Sequence, residues 1–272
     1  MSLTLYVNLF FLLFTFLSTI IVPSTDMIKV YRNLFHTMQK ATILTERKIG
    51  MMQVTPLQRA SLKEHCILVD KMDKSVGEAT KQVCHEINTD GCVPLHRAFS
   101  VFLFNSKGEL LLQKRSADKI TFPGCYTNTC CSHPLADIPE ETEEEDAIGV
   151  RRAAIRRLNF ELGVPSNEIT PSDLFYLTRI YYQAPSSDRW GEHEIDYILF
   201  LQRDDITIKP NPDEVTDIQW VSRLEIDNFI KANPLLTPWF RLIYNFKLLH
   251  WWDNLHNLSQ ICDVKNIYTL KE

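Results

Sequence analysis

A chain of 272 residues can bury one sizeable core with something left over at its ends. Hydrophobic content of 45% and charged content of 23% are ordinary for a globular protein, and a formal net charge of -5, with no basic stripe along the chain, argues against a nucleic-acid binder. The seven cysteines are odd in number, two are adjacent, and none shows framework spacing, so they read as reduced thiols rather than a disulfide scaffold.

Leu3 to Val22 is an almost unbroken apolar run, long enough to span a bilayer as a helix, without the basic start of a signal peptide. From Met27 to Gly50 the balance turns basic, with Lys29, Arg32, Lys40, Arg47 and Lys48 against Glu46. Residues 1–50 therefore read as a targeting or anchor extension, and residues 51–272 as the folded domain. Translation from Met1 would anchor the chain through residues 3–22 with its domain facing the cytosol. Translation from Met27 would expose a basic, amphipathic mitochondrial presequence instead. In either case the domain itself is of a cytoplasmic type.

Within the domain, His65–Asp70 has the pattern of a strand and Asp73–Gly77 that of the turn after it. Ala98–Phe104 and Glu109–Lys114 flank Asn105-Ser106-Lys107-Gly108 and predict a hairpin. Tyr126–Cys131 reads as a short strand. Glu143–Leu162 reads as a helix with acids crowding its first turn, arginines further along and Gly163 as its stop. Strands follow at Phe175–Tyr182 and His193–Gln202, and an aromatic-rich helical region at Pro238–Leu258. These elements predict one α+β domain, a mixed sheet covered by helices.

Four clusters could carry chemistry. In an extended Thr127–Pro134, alternation puts Cys131 and His133 on one face and Cys130 on the other. Taken alone, such a pair of cysteines is more often core packing than chemistry. In Trp190–Tyr197, Glu192, Glu194 and Asp196 share a face, inside a segment apolar enough to be buried. Buried acids need partners, either a metal ion or hydrogen-bond donors. His85, His96 and His133 with two strand glutamates would make a site for Zn, Mn, Fe or Mg. Lys81, Arg115, Lys119 and Arg157 lie among these segments and could clamp a diphosphate, although each alone is commonly a surface cation.

Leu95–Phe104, Phe122–Pro134, Trp190–Tyr197 and Thr237–Phe240 together resemble the type 1 isopentenyl-diphosphate delta-isomerases, in their animal branch, over about Cys66 to Tyr268. The resemblance implies a Nudix-like α/β/α sandwich. It also implies that His85, His96, His133, Glu192 and Glu194 bind a divalent ion (Zn²⁺, Mn²⁺ or Mg²⁺). Glu161 would contact a Mg²⁺ that arrives with the diphosphate, which Lys81, Arg115, Lys119 and Arg157 would hold. Cys131 and Glu194 would face each other across an allylic or homoallylic five-carbon chain, with Tyr182 assisting Glu194 and Trp239 against the hydrocarbon. The expected enzyme is a monomer. Acid and base on opposite faces suit a proton added at C4 and another removed at C2, and a π face suits the carbocation between.

The main rival is a Nudix-type diphosphohydrolase. It would carry Arg-Glu-x-x-Glu-Glu-x-Gly, whereas this chain has Arg156-Arg157-Leu158-Asn159-Phe160-Glu161-Leu162-Gly163, with Arg157 and Phe160 in place of two metal-binding acids. A membrane-tethered zinc protein without catalysis is the second rival. A zinc deaminase is excluded because adjacent cysteines cannot supply a Cys-x-x-Cys pair.

Overall fold

The computed structural model describes residues 55–271. The anchor and targeting readings of residues 1–50 fall outside them. Among the described residues, no helix is long and apolar enough to cross a membrane.

Ten strands form one mixed sheet: β1 (His65–Val69), β2 (Ser75–Thr80), β3 (His96–Phe104), β4 (Leu110–Arg115), β5 (Tyr126–Thr127), β6 (Cys130–Ser132), β7 (Leu174–Pro185), β8 (Gly191–Gln202), β9 (Val215–Val221) and β10 (Asp263–Thr269). Its main path runs β10-β7-β8-β3-β1-β2. The central pair, β3 and β8, is parallel from His96↔Glu194 to Phe104↔Gln202, and β7 lies antiparallel on the other side of β8. All nine residues of β3 are buried, as are most of β8, which fits their nearly continuous apolar sequence.

The pleat sorts β3 and β8 into two cores. Phe102, Phe104, Ile198 and Phe200 point to one face and pack against the aromatic helices, including Trp239, Phe240, Trp251 and Trp252. Phe99, Val101, Leu103, Ile195 and Leu199 point to the other, where a long helix presents Val150, Ala153, Ala154, Leu158 and Leu162. Helices on both faces of a mixed sheet make the α+β, three-layer sandwich expected from the sequence.

Several boundaries differ from the sequence reading. The turn after β1 is closed earlier, by Asp70 N–H to Lys74 O at 2.9 Å, and Ser75–Gly77 already belong to β2. The expected strand at Tyr126–Cys131 is two pieces: β5 pairs with β4, and β6 crosses to pair with β3. The long helix begins at Ile148, not Glu143. Asp146 and Ala147 take left-handed φ of 48° and 54°, and Gly149 lies so close to Glu141 O that a Cβ there would sit 2.4 Å away. The acids therefore occupy an irregular approach to the helix. Gly163 ends it at φ 64°, as expected. The aromatic region is a broken series, Pro238–Ile243, a π turn at Tyr244–Leu248, Leu249–Asp253 and Leu258–Ile261.

We label the α-helices α1 (Pro56–Ser61), α2 (Lys81–His85), α3 (Ile148–Leu162), α4 (Ile226–Ala232) and α5 (Pro238–Ile243).

Candidate active site

At one end of the aromatic-core face, where β3 and β8 no longer carry apolar residues, the same pleat presents His96 from β3 and Glu194 from β8. Glu194 stands in register with His96 on one side and Tyr182 of β7 on the other. Two residues earlier on β8, Glu192 takes the same face. α2 delivers His85 at its last position, and His133 follows β6. Five segments thus converge.

The three imidazole centroids lie 4.8–4.9 Å apart. One ligand atom from each of His85, His96, His133, Glu192 and Glu194 falls within 4.8 Å of all the others, and all five residues are buried. His85 Nδ1 faces Lys81 O at 2.7 Å and His96 Nδ1 faces Pro94 O at 2.9 Å. Each backbone carbonyl can only accept, so it fixes the proton on Nδ1 and turns the Nε2 lone pair toward the cluster. His85 Nε2 then meets Glu192 Oε2 at 2.9 Å, yet that oxygen has no hydrogen bond of acceptable geometry, and neither has His96 Nε2. Acceptors that face one another in a buried pocket are held by a cation. The donor set therefore fits a divalent metal ion. Burial pushes the His96 imidazole down, but the Glu194 carboxylate and its neighbours outweigh this and raise it to about 9. A proton and a metal ion compete for that lone pair. Burial, with His85 and His96 alongside, holds His133 well below its ordinary value, in the neutral form that ligates.

Glu194 also reaches into the reaction cavity. His133 Nε2 lies 2.9 Å from its Oε1, and Tyr182 donates its hydroxyl to Oε2 at 2.5 Å. Burial first, then the charges of Glu194, Glu192 and Asp196, keep Tyr182 protonated and a donor. Asp196, the third acid on this face, accepts from Ser100 Oγ at 2.8 Å, and burial raises it well above a normal carboxyl.

Cys131 and Cys130 separate as alternation predicts. Cys130 is fully buried in the core beneath α3, whereas Cys131 packs against the aromatic core and lines the cavity with Tyr182, Glu194 and Trp239. Burial pushes the Cys131 thiol up to about 12, with Arg115 pulling the other way. Trp239 closes the wall, its ring 5.3 Å from Phe122 edge-on and 6.2 Å from Tyr182. Asn128, within the Phe122–Pro134 segment, fastens this wall. Its Oδ1 accepts from Trp239 Nε1 at 3.0 Å while its amide donates to Val101 O and Cys130 O.

Four cations also line the cavity: Lys81, Arg115, Lys119 and Arg157. Arg115 is partly engaged by the protein itself, donating to Phe122 O and Thr121 O at 3.1 and 2.9 Å, with its guanidinium 5.6 Å above the Trp239 ring. Arg157 on α3 bonds Glu161 Oε1 at 2.6 Å and Glu214 Oε2 at 3.1 Å, and Lys119 bonds Glu214 Oε2 at 2.6 Å. Although burial opposes it, the positive charge of Arg157 and Lys119 holds Glu161 ionised, down to about 2. His96 and Glu161 are buried behind the cavity wall. Gln58 and Glu214 were not singled out from the sequence. Gln58 reads as one polar residue of a short helix and Glu214 as part of a Pro-Asp-Glu loop, so only their long-range pairing reveals them.

Residues 94–242 match the NUDIX domain family. The chain is 52% identical over 213 residues to Isopentenyl-diphosphate Delta-isomerase 1 of Mesocricetus auratus, covering 77% of this chain and 93% of that protein. It is 51% identical to the Mus musculus protein of the same name, with the same coverage. The Isopentenyl-diphosphate Delta-isomerase of Dictyostelium discoideum is 46% identical over 216 residues, covering 77% of this chain and 90% of that protein.

Proposed function

The chain belongs to the isopentenyl-diphosphate Delta-isomerase family, built on a NUDIX domain, and from that membership we propose how its residues carry the reaction. It is an enzyme of isoprenoid biosynthesis that interconverts isopentenyl diphosphate and dimethylallyl diphosphate. In the forward direction Glu194, aided by Tyr182, gives a proton to C4, and Cys131 takes one from C2. The intermediate is a tertiary carbocation that water would trap as an alcohol, so the aromatic wall of Trp239 and Tyr182, with Phe122 packed against Trp239, must keep the cavity dry. The Trp239 face also lowers the energy of the cation without attacking it. A forward step leaves a Glu194 carboxylate and a Cys131 thiol, which is the pair poised for the reverse step. The proton returns to Glu194 before the next forward turnover.

His85, His96, His133, Glu192 and Glu194 would hold a divalent ion, Zn²⁺, Mn²⁺ or Mg²⁺, and Glu161 would contact a Mg²⁺ brought by the substrate. Bound there, these ions supply positive charge that fixes Glu194 and screens the diphosphate. Lys81, Arg115, Lys119 and Arg157 bind the diphosphate, and this remote binding positions the reacting carbons. Hydrolysis is disfavoured by the helix itself. Where a hydrolase carries acids, Arg157 sits 4.6 Å over Phe160 and ion-pairs the remaining Glu161. The enzyme acts as a monomer with a cytosolic-type domain, and residues 1–50 serve as a targeting or anchor extension.

One observation carries this reading. Glu194 contacts His133 and accepts from Tyr182 in the cavity that Cys131 and Trp239 also line. Incubating the protein with isopentenyl diphosphate and Mg²⁺ tests it. Dimethylallyl diphosphate should appear with no release of phosphate, and phosphate release without isomerisation would favour the hydrolase.

A further inference from the structure

Glu214 is 3% exposed, lies just before β9, and has no place among the catalytic or metal residues above. Three side chains from three separate elements converge on it. Gln58 of α1 donates Nε2–H to Oε1 at 2.8 Å, Lys119 in the loop after β4 donates to Oε2 at 2.6 Å, and Arg157 of α3 donates Nη2–H to the same Oε2 at 3.1 Å. The three donors all line the reaction cavity, and Glu214 does not. One carboxylate therefore sits behind three groups that face the substrate.

Each donor keeps capacity beyond Glu214. A lysine ammonium has three N–H groups and a primary amide two. Arg157 Nε is buried without a hydrogen-bond partner. Long cationic side chains lose rotamer freedom when they bind, so holding them in place beforehand saves that cost at the moment of binding. Lys119 shows a second need for the carboxylate. Burial and the neighbouring Arg115 push its ammonium down toward the neutral form, and Glu214 opposes them.

We propose that Glu214 is a positioning residue for diphosphate recognition: it gathers Gln58, Lys119 and Arg157 and sets their remaining donors toward the cavity. Gln58 thereby becomes a further diphosphate-facing donor, and α1 becomes part of the site. The inference rests on the diphosphate reading above. Glu214 touches no reacting carbon, so it acts on affinity and leaves the proton transfers alone.

The test is calorimetric binding of inorganic pyrophosphate with Mg²⁺ to the full chain, alongside steady-state kinetics. Glu214→Gln keeps the shape and removes the charge. Its pyrophosphate Kd and its substrate KM should rise about 10-fold while kcat changes less than about 3-fold, the pattern of lost binding without lost chemistry. Lys119→Ala should weaken binding similarly, and the double variant should bind more weakly than either single variant but by less than the product of the two effects, because part of what Glu214 does passes through Lys119. Gln58→Ala, which leaves both ion pairs intact, should raise the Kd about 2- to 3-fold and serves if Glu214→Gln does not fold. An unchanged Kd in Glu214→Gln or in Gln58→Ala, or multiplying effects in the double variant, would overturn the inference while leaving the diphosphate reading in place. Failure of the unaltered chain to bind pyrophosphate at all would overturn both.

Discussion

The two ends of the cavity are built on opposite principles. At the histidine end, buried acceptors face one another, and His96 Nε2 and Glu192 Oε2 have no hydrogen bond. At the cationic end, the charges are already matched, with Glu161 and Glu214 each taking an arginine or lysine at 2.6 Å. The first arrangement fits a divalent metal ion. The second has its charges paired within the protein, and on the proposed reading it turns its remaining donors to an arriving anion. One cavity can therefore hold a fixed metal ion at one end and exchange a charged substrate at the other. It also follows that damage at the two ends should look different, in chemistry and stability on one side and in affinity on the other.

Cys131→Ala should produce the largest loss, about 10³-fold or more in kcat, because a positioned acid or base contributes about that much and alanine cannot move a proton. Stopped assays on folded protein check this, and activity within 10-fold of the unaltered chain would remove Cys131 from the chemistry. Stripping metal with a chelator should come next. Activity should be lost and the thermal midpoint should fall by several degrees, since an ion bound only by the native state stabilises it. An unmoved midpoint would mean that the histidine end does not need the cation its acceptors call for. Lys119→Ala probes the other end, where KM should rise about 10-fold with kcat little changed. A collapse of kcat instead would erase the contrast between the ends. Cys130→Ala should have the smallest effect, costing about 1 kcal/mol of stability from a buried site and leaving substantial activity. Equal losses in Cys130→Ala and Cys131→Ala would show that the two faces of β6 are not functionally distinct.

The histidine end was legible in two ways: its acids and Cys131 sit on strands, whereas His85, at the end of α2, and His133, after β6, were joined to the acids only by the family resemblance. Alternation alone placed Cys131 opposite Cys130 and put Glu192 and Glu194 on one face. The apolar character of Ile195–Phe200 implied that those acids were buried. The cationic end was half legible. Arg157 and Lys119 could be picked out, but Gln58 and Glu214 lie 156 residues apart and meet only through the tertiary fold. The start of α3 was misread for a related reason. Acids before an apolar run suit a first helical turn, yet the close approach of Gly149 to Glu141 and Glu143 carbonyls and the left-handed Asp146 and Ala147 delay the helix to Ile148. No local propensity encodes that contact. The Gln58 contribution also refines the domain boundary. A chain starting at Thr55 keeps α1 and should be fully active, whereas one starting after Ser61 should lose substrate affinity.

Glu194 would join the two proposed functions, because its Oε1 meets His133 in the histidine cluster and its Oε2 accepts from Tyr182. Replacing it with glutamine separates them, since an amide oxygen can still coordinate weakly but the group cannot deliver a proton. The decisive measurement is bound metal and isomerisation rate in Glu194→Gln, taken side by side across a metal titration. Retained or restorable metal with turnover still down by about 10²-fold or more is the result predicted here. Full recovery of rate at high metal concentration would show that Glu194 is a ligand only, and that the proton at C4 comes from elsewhere.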